Sequence, residues 1–341
     1  MPKTVRAPPL DGADGAVTGG SVAPHWAQKV AVPSFAVPHC GQLRVMRAES
    51  TAAAWNSSRS ATPSDFGLAV GPPLVDCTSV RVYVLGSGSS GNSALVESGD
   101  DRLFIDAGIG PKRSVEILRT LGADLFPKSA LGVVVTHDHD DHSAKLEPMV
   151  RALRAPAFLH DGVPAPRVRQ RFEVRRFDPT GAFQVGRFVV RALPLPHDAP
   201  QVALRVEAGG TALGWVTDLG HVPPALPGFL EGCHTVFLEA NYDLELLMSG
   251  PYPPRLRDRV AGPFGHLDNR DTAKLVDRLA RLGVERVILG HLSAVNNSPE
   301  RALGAVMARA PKLEVRVVDH GVPVVFDVPR AARVGVQLAL F

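Results

Sequence analysis

The segment His137-Asp138-His139-Asp140-Asp141-His142 directly follows the apolar run Leu131-Gly132-Val133-Val134-Val135-Thr136. Such a run, rich in β-branched residues, predicts a buried strand. Imidazoles and carboxylates at the end of a buried strand need partners, because each unsatisfied buried polar or charged group costs several kcal/mol. Divalent cations would provide those partners. The segment therefore predicts a metal site rather than a solvated loop.

Other short apolar runs also lead to an ionisable residue. When strands deliver polar groups at their carboxyl ends, they build one rim of active-site loops on a rigid sheet. We therefore expect these residues to lie near one another. The runs and the residues that follow them are 103–105 before Asp106, 188–190 before His197, 212–216 before Asp218, 236–238 before Glu239 and 287–289 before His291.

Helical patterns separate several of these strands. The clearest is 269–282, where Leu275, Leu279 and Leu282 form one apolar stripe. Asp268 is placed to cap its first turn and Gly283 to end it. The other predicted helices are 113–121, 142–153 and 299–308.

The length of 341 residues fits one large α/β domain with a tail. Residues 1–79 are rich in Pro, Gly, Ala and Ser and lack a sustained strand or helix period, so we expect disorder there. An alternative is that translation starts at Met46 or near Val80. We expect the folded domain over 80–328 and a short extension over 329–341.

The composition narrows the class of protein. No secretory signal pattern and no apolar stretch of about 18 residues occurs, which favours a soluble, cytoplasmic protein that contacts no membrane. The three cysteines, Cys40, Cys77 and Cys233, form neither a disulfide framework nor a cysteine zinc site. The net charge of +3 excludes a protein that holds nucleic acid by charge alone.

A dinucleotide-binding fingerprint, G-x-G-x-x-G, occurs at 86–91, and Asp106 lies about 20 residues further on. The next residues, 92–97, have a strand pattern and lead through a turn into a second strand that ends at Asp106. A parallel crossover needs a dozen or more residues and usually a helix. The pattern therefore predicts an antiparallel meander, which argues against a nucleotide-binding oxidoreductase.

Imidazole and carboxylate ligands without thiolates, with positions left open for water, are typical of hydrolytic metal sites. Two cations about 3.5–4 Å apart would share a hydroxide, lower its pKa and polarise the scissile bond. Zinc and manganese both accept these ligand types, so the sequence does not identify the metal. We expect His137, His139 and His197 to hold one cation and Asp141, His142 and His291 the other, with Asp218 bridging and Asp141 also orienting the hydroxide.

These motifs resemble the metallo-β-lactamase fold superfamily, whose His-x-His-x-Asp-His signature is matched at 137–142, with later ligands at His197, Asp218 and His291. The resemblance covers roughly 80–328. It implies an α/β (α+β) fold, the αβ/βα four-layer sandwich, with a dinuclear metal site at one edge. It also implies that Asp106 orients a metal ligand from behind. His139 favours hydrolysis, since members with di-iron redox chemistry usually carry Glu there.

Within the superfamily, several further motifs resemble the YycJ/WalJ-type exonucleases. That group is associated with metal-dependent 5′-to-3′ degradation of double-stranded DNA, and related phosphodiesterases include tRNase Z and the cyclic-phosphate hydrolases. The tail has no counterpart in the resemblance. The matching segments are 86–93, 217–218, 238–243, 265–269 and 290–293 with Asn296-Asn297.

His266 lies just before the predicted start of the 269–282 helix. The resemblance to tRNase Z-like enzymes implies that it protonates the leaving oxygen, supported by Glu239. A helix N-terminus binds phosphate but disfavours an imidazolium, so a proton donor at this position needs a carboxylate partner. The alternative is that His266 merely bonds to its loop.

Two arginine clusters, 167–176 and 255–259, could contact a nucleic-acid backbone. The second lies between Glu239 and His266 in sequence, so we expect Arg255 and Arg257 to contact phosphate. A solvated charged face is the alternative for both clusters. The other expected substrate contacts are Ser90, Asn92 and Asn297.

The sequence thus favours a dinuclear metal phosphodiesterase, most simply a 5′-to-3′ exonuclease on DNA ends, in which a metal-bound hydroxide attacks and His266 protonates the leaving group. Three alternatives stay open. They are a thioester or lactone hydrolase of the glyoxalase II type, a cyclic-phosphate phosphodiesterase, and a metal-bound scaffold without turnover. The sequence does not indicate an oligomeric state.

Overall fold

The computed structural model describes residues 80–123 and 130–329, which form two seven-stranded mixed sheets with helices packed on them. The first described strand begins at Val80 and the last ends at Val328. The expectations for residues 1–79 and 330–341 lie outside the described residues. No helix in the described part has the length and apolar character needed to cross a membrane.

Helices first appear after the third strand, and β6 to β10 follow one another without a helix between them. The strands are β1 (Val80–Gly86), β2 (Ser93–Ser98), β3 (Asp101–Ile105), β4 (Ala130–Val134), β5 (Ala157–Leu159), β6 (Val174–Arg176), β7 (Ala182–Val185), β8 (Phe188–Leu195), β9 (Gln201–Ala208), β10 (Thr211–Val216), β11 (Thr235–Glu239), β12 (Arg286–Gly290), β13 (Glu314–Val317) and β14 (Val324–Val328). The helices are α1 (Pro111–Thr120), α2 (Asp140–Ser143), α3 (Leu146–Leu153), α4 (Pro166–Arg171), α5 (Leu226–Phe229), α6 (Leu244–Ser249), α7 (Pro254–Val260), α8 (Asn269–Arg281) and α9 (Pro299–Met307).

The first sheet has the order β14-β1-β2-β3-β4-β5-β6. β1, β2 and β3 pair antiparallel, which confirms the predicted meander and rules out a Rossmann crossover after 86–91. From β3 to β6 the pairing is parallel.

The second sheet has the order β13-β12-β11-β10-β9-β8-β7. β10 to β13 pair parallel, whereas β8, β9 and β10 pair antiparallel in turn. Because β9 runs antiparallel to both neighbours, β8 and β10 run in the same direction. The carboxyl ends of β8, β10, β11 and β12 therefore meet at one edge, where His197, Asp218, Glu239 and His291 follow them.

The core lies between the sheets and beneath the outer helices. Between the sheets, Trp215 stacks on Phe237 with ring centroids 4.1 Å apart. Separate apolar clusters join the first sheet to α1 and α3, and the second sheet to α8 and α9. Each fully buried aliphatic side chain in these layers contributes about 1.5–3 kcal/mol. The layers run helix, sheet, sheet, helix, which confirms the predicted αβ/βα sandwich.

α8 begins and ends as its sequence predicts. The Asp268 side chain accepts from the Asp271 amide at 2.7 Å, and Gly283 follows the helix with a φ of +85°. The helix predicted over 142–153 is instead two helices, α2 and α3. The amide of Lys145 donates to the Ala107 carbonyl oxygen at 2.9 Å, so the chain turns towards the first sheet between them.

Gly108 lies where the β3–α1 connection touches residues 137–142. A methyl group there would overlap the carbonyl oxygen of Asp141 and the amide of Asn92. We expect Gly108→Ala to lower the free energy of unfolding by about 1–3 kcal/mol, because neither backbone can move without breaking hydrogen bonds. Chemical denaturation measures this change.

Gly304→Ala provides the matched control. Gly304 lies inside α9 and an added methyl group meets no atom within 4 Å. This variant is expected to gain about 0.5–1 kcal/mol from helix propensity. Equal stabilities for the two variants would contradict the close approach at Gly108.

Candidate metal centre

The metal loop is residues 137–142, which leave β4 and turn into α2. His137 and His142 are buried, whereas His139 and Asp141 are partly exposed. The amide of His142 donates to the His139 carbonyl oxygen at 2.9 Å, which closes the loop on itself. The short helix thereby turns His142 back towards the sheet edge.

One ligand group consists of His137, His139 and His197, whose donor nitrogens lie within 4.8 Å of one another. His197 donates from Nδ1 to the Gly265 carbonyl oxygen at 3.1 Å. Its Nε2 is left facing His139 Nδ1 at 3.3 Å. The bond behind the ring therefore fixes which nitrogen of His197 is available to a cation.

The other ligand group consists of Asp141, His142 and His291. His142 Nδ1 donates to Asp106 Oδ2 at 2.8 Å, which leaves Nε2 facing the interior of the site. Asp218 lies between the groups, because it clusters with His137 and His142 and also with His291. The structure thus brings all seven expected ligands together, with Asp218 in the central position.

Two of these ligand atoms, His137 Nε2 and His291 Nε2, are buried without a hydrogen-bond partner in the described part of the chain, and the buried Asp218 Oδ2 faces His142 Nε2 at 3.1 Å. An unsatisfied buried group costs about 1–3 kcal/mol, and more when it is charged. Imidazole nitrogens and a carboxylate oxygen facing one space are ligands that divalent cations accept. The residues therefore fit bound divalent cations.

Neighbouring carboxylates raise the pKa values of two histidines in the cluster. Burial disfavours a charged His142, but the carboxylates of Asp218 and Asp106 outweigh it and raise the pKa of the imidazole to about 10. Burial likewise opposes charge on His291, yet Asp218, Asp141 and Glu239 raise its pKa well above the usual value. Cation binding therefore has to displace protons from these rings.

Three site residues adopt left-handed backbone conformations. Asp106, Asp218 and His291 have φ values of 59°, 57° and 55°. This region is uncommon for residues other than glycine, although Asp and His tolerate it better than most. Each of these residues follows a strand, so the turn in the backbone directs its side chain along the sheet edge. Such local strain is typical of functional sites.

Asp106 supports the metal loop from behind. Its Oδ1 accepts from the Thr136 amide at 2.8 Å, and its Oδ2 accepts from His142 Nδ1. The Thr136 hydroxyl lies 3.0 Å from both carboxylate oxygens. Asp106 therefore fixes the orientation of a ligand without being grouped among the ligands themselves.

His266 and Glu239 form an ion pair beside the ligands. His266 Nδ1 lies 2.7 Å from Glu239 Oε1, and Glu239 Oε2 accepts from the Leu219 amide at 2.9 Å. Glu239 is fully buried, and burial would raise its pKa. The imidazole of His266 and hydrogen bonds from His266 and His291 instead hold the pKa of Glu239 below its usual value. Glu239 is therefore an ionised carboxylate that holds the His266 ring in place.

A family model described as the beta-lactamase superfamily domain matches residues 101–292, more than half of the chain. The chain belongs to this superfamily. The match includes every residue from Asp106 to His291 that builds the site, and it confirms the resemblance seen in the sequence.

Relatives within the superfamily include nucleases. An exodeoxyribonuclease WalJ from Streptococcus pneumoniae serotype 2 is 28% identical over 231 residues, which are 65% of this chain and 85% of the relative. An exodeoxyribonuclease YycJ from Bacillus anthracis is 28% identical over 236 residues, 64% of this chain and 84% of the relative.

Solved structures share the fold at lower identity. The metallo-β-lactamase fold protein YhfI from Bacillus subtilis is 18% identical with a TM-score of 0.59, over 73% of this chain and 99% of YhfI. Zn²⁺-bound PqqB from Methylobacterium extorquens is 16% identical with a TM-score of 0.54, over 72% and 99%. The superfamily membership and the ligand cluster together make this chain a divalent-metal-dependent hydrolase.

Asp198 was not among the residues that the sequence singled out. The Asp198 Oδ1 lies 3.2 Å from His139 Nε2 and 3.3 Å from His197 Nε2. Its Oδ2 accepts from Arg259 Nε at 2.7 Å. Arg259 lies on α7, so the pair ties that helix to the metal ligands. The one hint in the sequence is that Asp198 directly follows a ligand.

Asn92 and Asn297, which the sequence predicts to contact substrate, make hydrogen bonds within the protein. Asn92 is buried, and its amide nitrogen lies 2.8 Å from His142 Nε2 and 3.1 Å from Asp141 Oδ2. Its Oδ1 accepts from the Gly88 amide. Asn297 exchanges two hydrogen bonds of 2.9 Å with Asn269. Both side chains are occupied in holding loops in place.

The remaining expected substrate residues differ in solvent exposure and in their bonds within the protein. Ser90 and Arg255 are exposed, whereas Arg257 is half-buried and donates to the Met248 carbonyl oxygen. In the 167–176 cluster, Arg175 pairs with Glu173 at 2.7 Å and Arg176 donates to the His160 carbonyl oxygen at 2.6 Å. These two arginines of the first cluster therefore bond to other parts of the protein.

We expect Asp106→Asn to weaken metal binding by about 10–100-fold, because the amide is a poorer acceptor for His142 Nδ1 and no longer fixes the ring. Competition with a chromophoric chelator measures the affinity. Asp178→Asn is the matched control, since Asp178 lies in an exposed surface turn with Thr180. Unchanged affinity in the Asp106 variant would show that its bond to His142 does not support the metal centre.

Proposed function

We propose that this chain is a dinuclear metal-dependent phosphodiesterase that degrades DNA from its ends. The observation that carries the proposal is the His266–Glu239 pair, which lies directly beside the metal ligands. A hydrolase with a good leaving group needs only the cations, whereas an alkoxide leaving from a phosphodiester needs a proton. A buried carboxylate that holds a histidine beside the ligands meets that need.

The two cations would be held by the two ligand groups, with Asp218 shared between them. Zinc and manganese both suit the ligand types. When bound, such a pair lowers the pKa of water and offsets the negative charge of the phosphodiester.

Asp141 would position the attacking water. Burial tends to raise the pKa of Asp141, but the nearby imidazoles of His291 and His142 lower it. The carboxylate is therefore ionised and accepts a hydrogen bond from water. Its partial exposure leaves it accessible from the open side of the site.

His266 would donate the proton to the leaving oxygen. Its Nδ1 is occupied by Glu239, so Nε2 is the nitrogen left to carry the transferred proton. The dipole of α8 favours phosphate and disfavours an imidazolium at this position, and Glu239 offsets the second effect. The ion pair is thus what allows an acid to work at a helix N-terminus.

The substrate class rests on the relatives and on the charged loop beside His266. Both curated relatives are named exodeoxyribonucleases. Arg255 is exposed on α7 and would contact the DNA backbone, with Arg257 and Ser90 as further expected contacts. The sequence resemblance supports 5′-to-3′ polarity. End-labelled duplex and single-stranded DNA, with metal content measured on the same sample, test the activity and its direction.

We expect His266→Ala to lower kcat on DNA by about 10²–10⁴-fold while both metals are retained. The loss should be much smaller on bis-p-nitrophenyl phosphate, because p-nitrophenolate leaves without a proton. Glu239→Gln should show the same dependence on the leaving group. His234→Ala is the control, since His234 accepts from the Ala212 amide away from the site.

Equal losses on both substrates would indicate that His266 supports the structure and donates no proton. Hydrolysis of S-lactoylglutathione by the metal-loaded protein, with no cleavage of either phosphodiester, would contradict the proposed function and favour a thioesterase.

A further inference from the structure

Large apolar side chains are exposed on one rim of the molecule. Among the described residues, Met248, Phe264, Val295 and Val322 have exposed fractions of 49%, 56%, 47% and 51%. Each lies in a connection that follows β11, β12 or β13. Because these strands are parallel, their connections leave from the edge that carries the metal centre. The exposed apolar surface therefore borders the site.

Phe264 is the one aromatic residue of this group, and its backbone is firmly held. The Gly265 carbonyl oxygen accepts from His197 Nδ1 at 3.1 Å, and the Pro263 carbonyl oxygen accepts from His221 Nδ1 at 2.8 Å. A methyl group at Gly220 would overlap the backbone of Pro263. The loop is thus packed against the chain that follows Asp218, while the Phe264 side chain remains exposed.

An aromatic ring that stays in water does not gain the stabilisation that burial of an apolar side chain gives. Phe264 lies two positions before His266 and four positions after the end of α7, which carries Arg255, Arg257 and Arg259. Aromatic rings next to a basic surface are how proteins hold nucleic-acid strands without reading their sequence, because every base offers a face for stacking.

We infer that Phe264 is a stacking platform for a nucleobase next to the scissile phosphate. The inference rests on the proposed function. A base inside a duplex is stacked on both faces, so the ring can reach only the last base of an end or a base in a single strand. The site therefore selects ends and unpaired strands, and it accepts all four bases.

The test is a comparison of Phe264→Ala on two oligonucleotides that differ by one base. In one, the nucleotides at the cleaved end are intact; in the other, the base beside the scissile phosphate is removed to leave an abasic sugar. Stacking on a protein ring contributes about 1–3 kcal/mol per base, which is a factor of about 5–150 in affinity. We expect KM to rise by that factor on the intact end and the ratio of variant to wild type to approach one on the abasic end.

Two further variants separate stacking from simple apolar contact. Phe264→Tyr keeps the ring and should retain most of the affinity, whereas Phe264→Leu keeps apolar surface and should lose it. An equal effect on intact and abasic ends, or full affinity in the leucine variant, would overturn the inference.

The exposed rim could instead be covered by a second copy of the chain. In that case sedimentation would show an oligomer that Phe264→Ala dissociates, which would also overturn the inference. Failure of the proposed function looks different, because the wild-type, metal-loaded protein would then cleave neither oligonucleotide.

Discussion

The Asp218 carboxylate is buried among imidazoles, with its Oδ2 3.1 Å from His142 Nε2 and its Oδ1 3.5 Å from His291 Nε2. Burial alone would raise its pKa, but His291 and His142 hold the pKa well below the usual value. The protein therefore keeps a buried negative charge whose neighbours are the imidazoles of other expected ligands. Divalent cations are the partners that such a carboxylate accepts at this density of ligands.

Around Asp218, three of the ligand rings have an acceptor on their far side. Asp106 holds His142, Glu239 lies 3.4 Å from His291 Nδ1, and the Gly265 carbonyl oxygen holds His197. Glu239 also holds His266, so one buried carboxylate joins a metal ligand to the proposed acid. Gly265 joins another ligand to the loop that carries Phe264. The candidate metal centre, the proposed proton donor and the loop that carries Phe264 are therefore connected through single hydrogen bonds.

Much of this arrangement can be predicted from the sequence. Strand-forming runs that end in Asp106, His137, Asp218, Glu239 and His291 predict a shared edge, because parallel strands place their carboxyl ends together. The capping residues Asp268 and Gly283 predict the ends of α8. These features depend on local patterns or on strand direction, both of which a single sequence records.

Other features depend on contacts between distant segments. The division of the predicted 142–153 helix follows from a hydrogen bond between Lys145 and Ala107 across the first sheet. Asn92 and Asn297 bond to the protein because of where other loops come to lie. The pairing of Asp198 with Arg259, 61 positions away, and the left-handed turns at three site residues likewise follow from the tertiary fold.

The proposal that the imidazoles and carboxylates converge on a pair of cations is tested most directly by loading the protein with manganese and recording electron paramagnetic resonance during the titration. We expect two ions per chain and a spin-coupled spectrum, because Asp218 would be shared between neighbouring ions. We also expect Asp218→Asn to weaken the coupling. Binding of a single ion, or of two ions with independent mononuclear spectra, would contradict it.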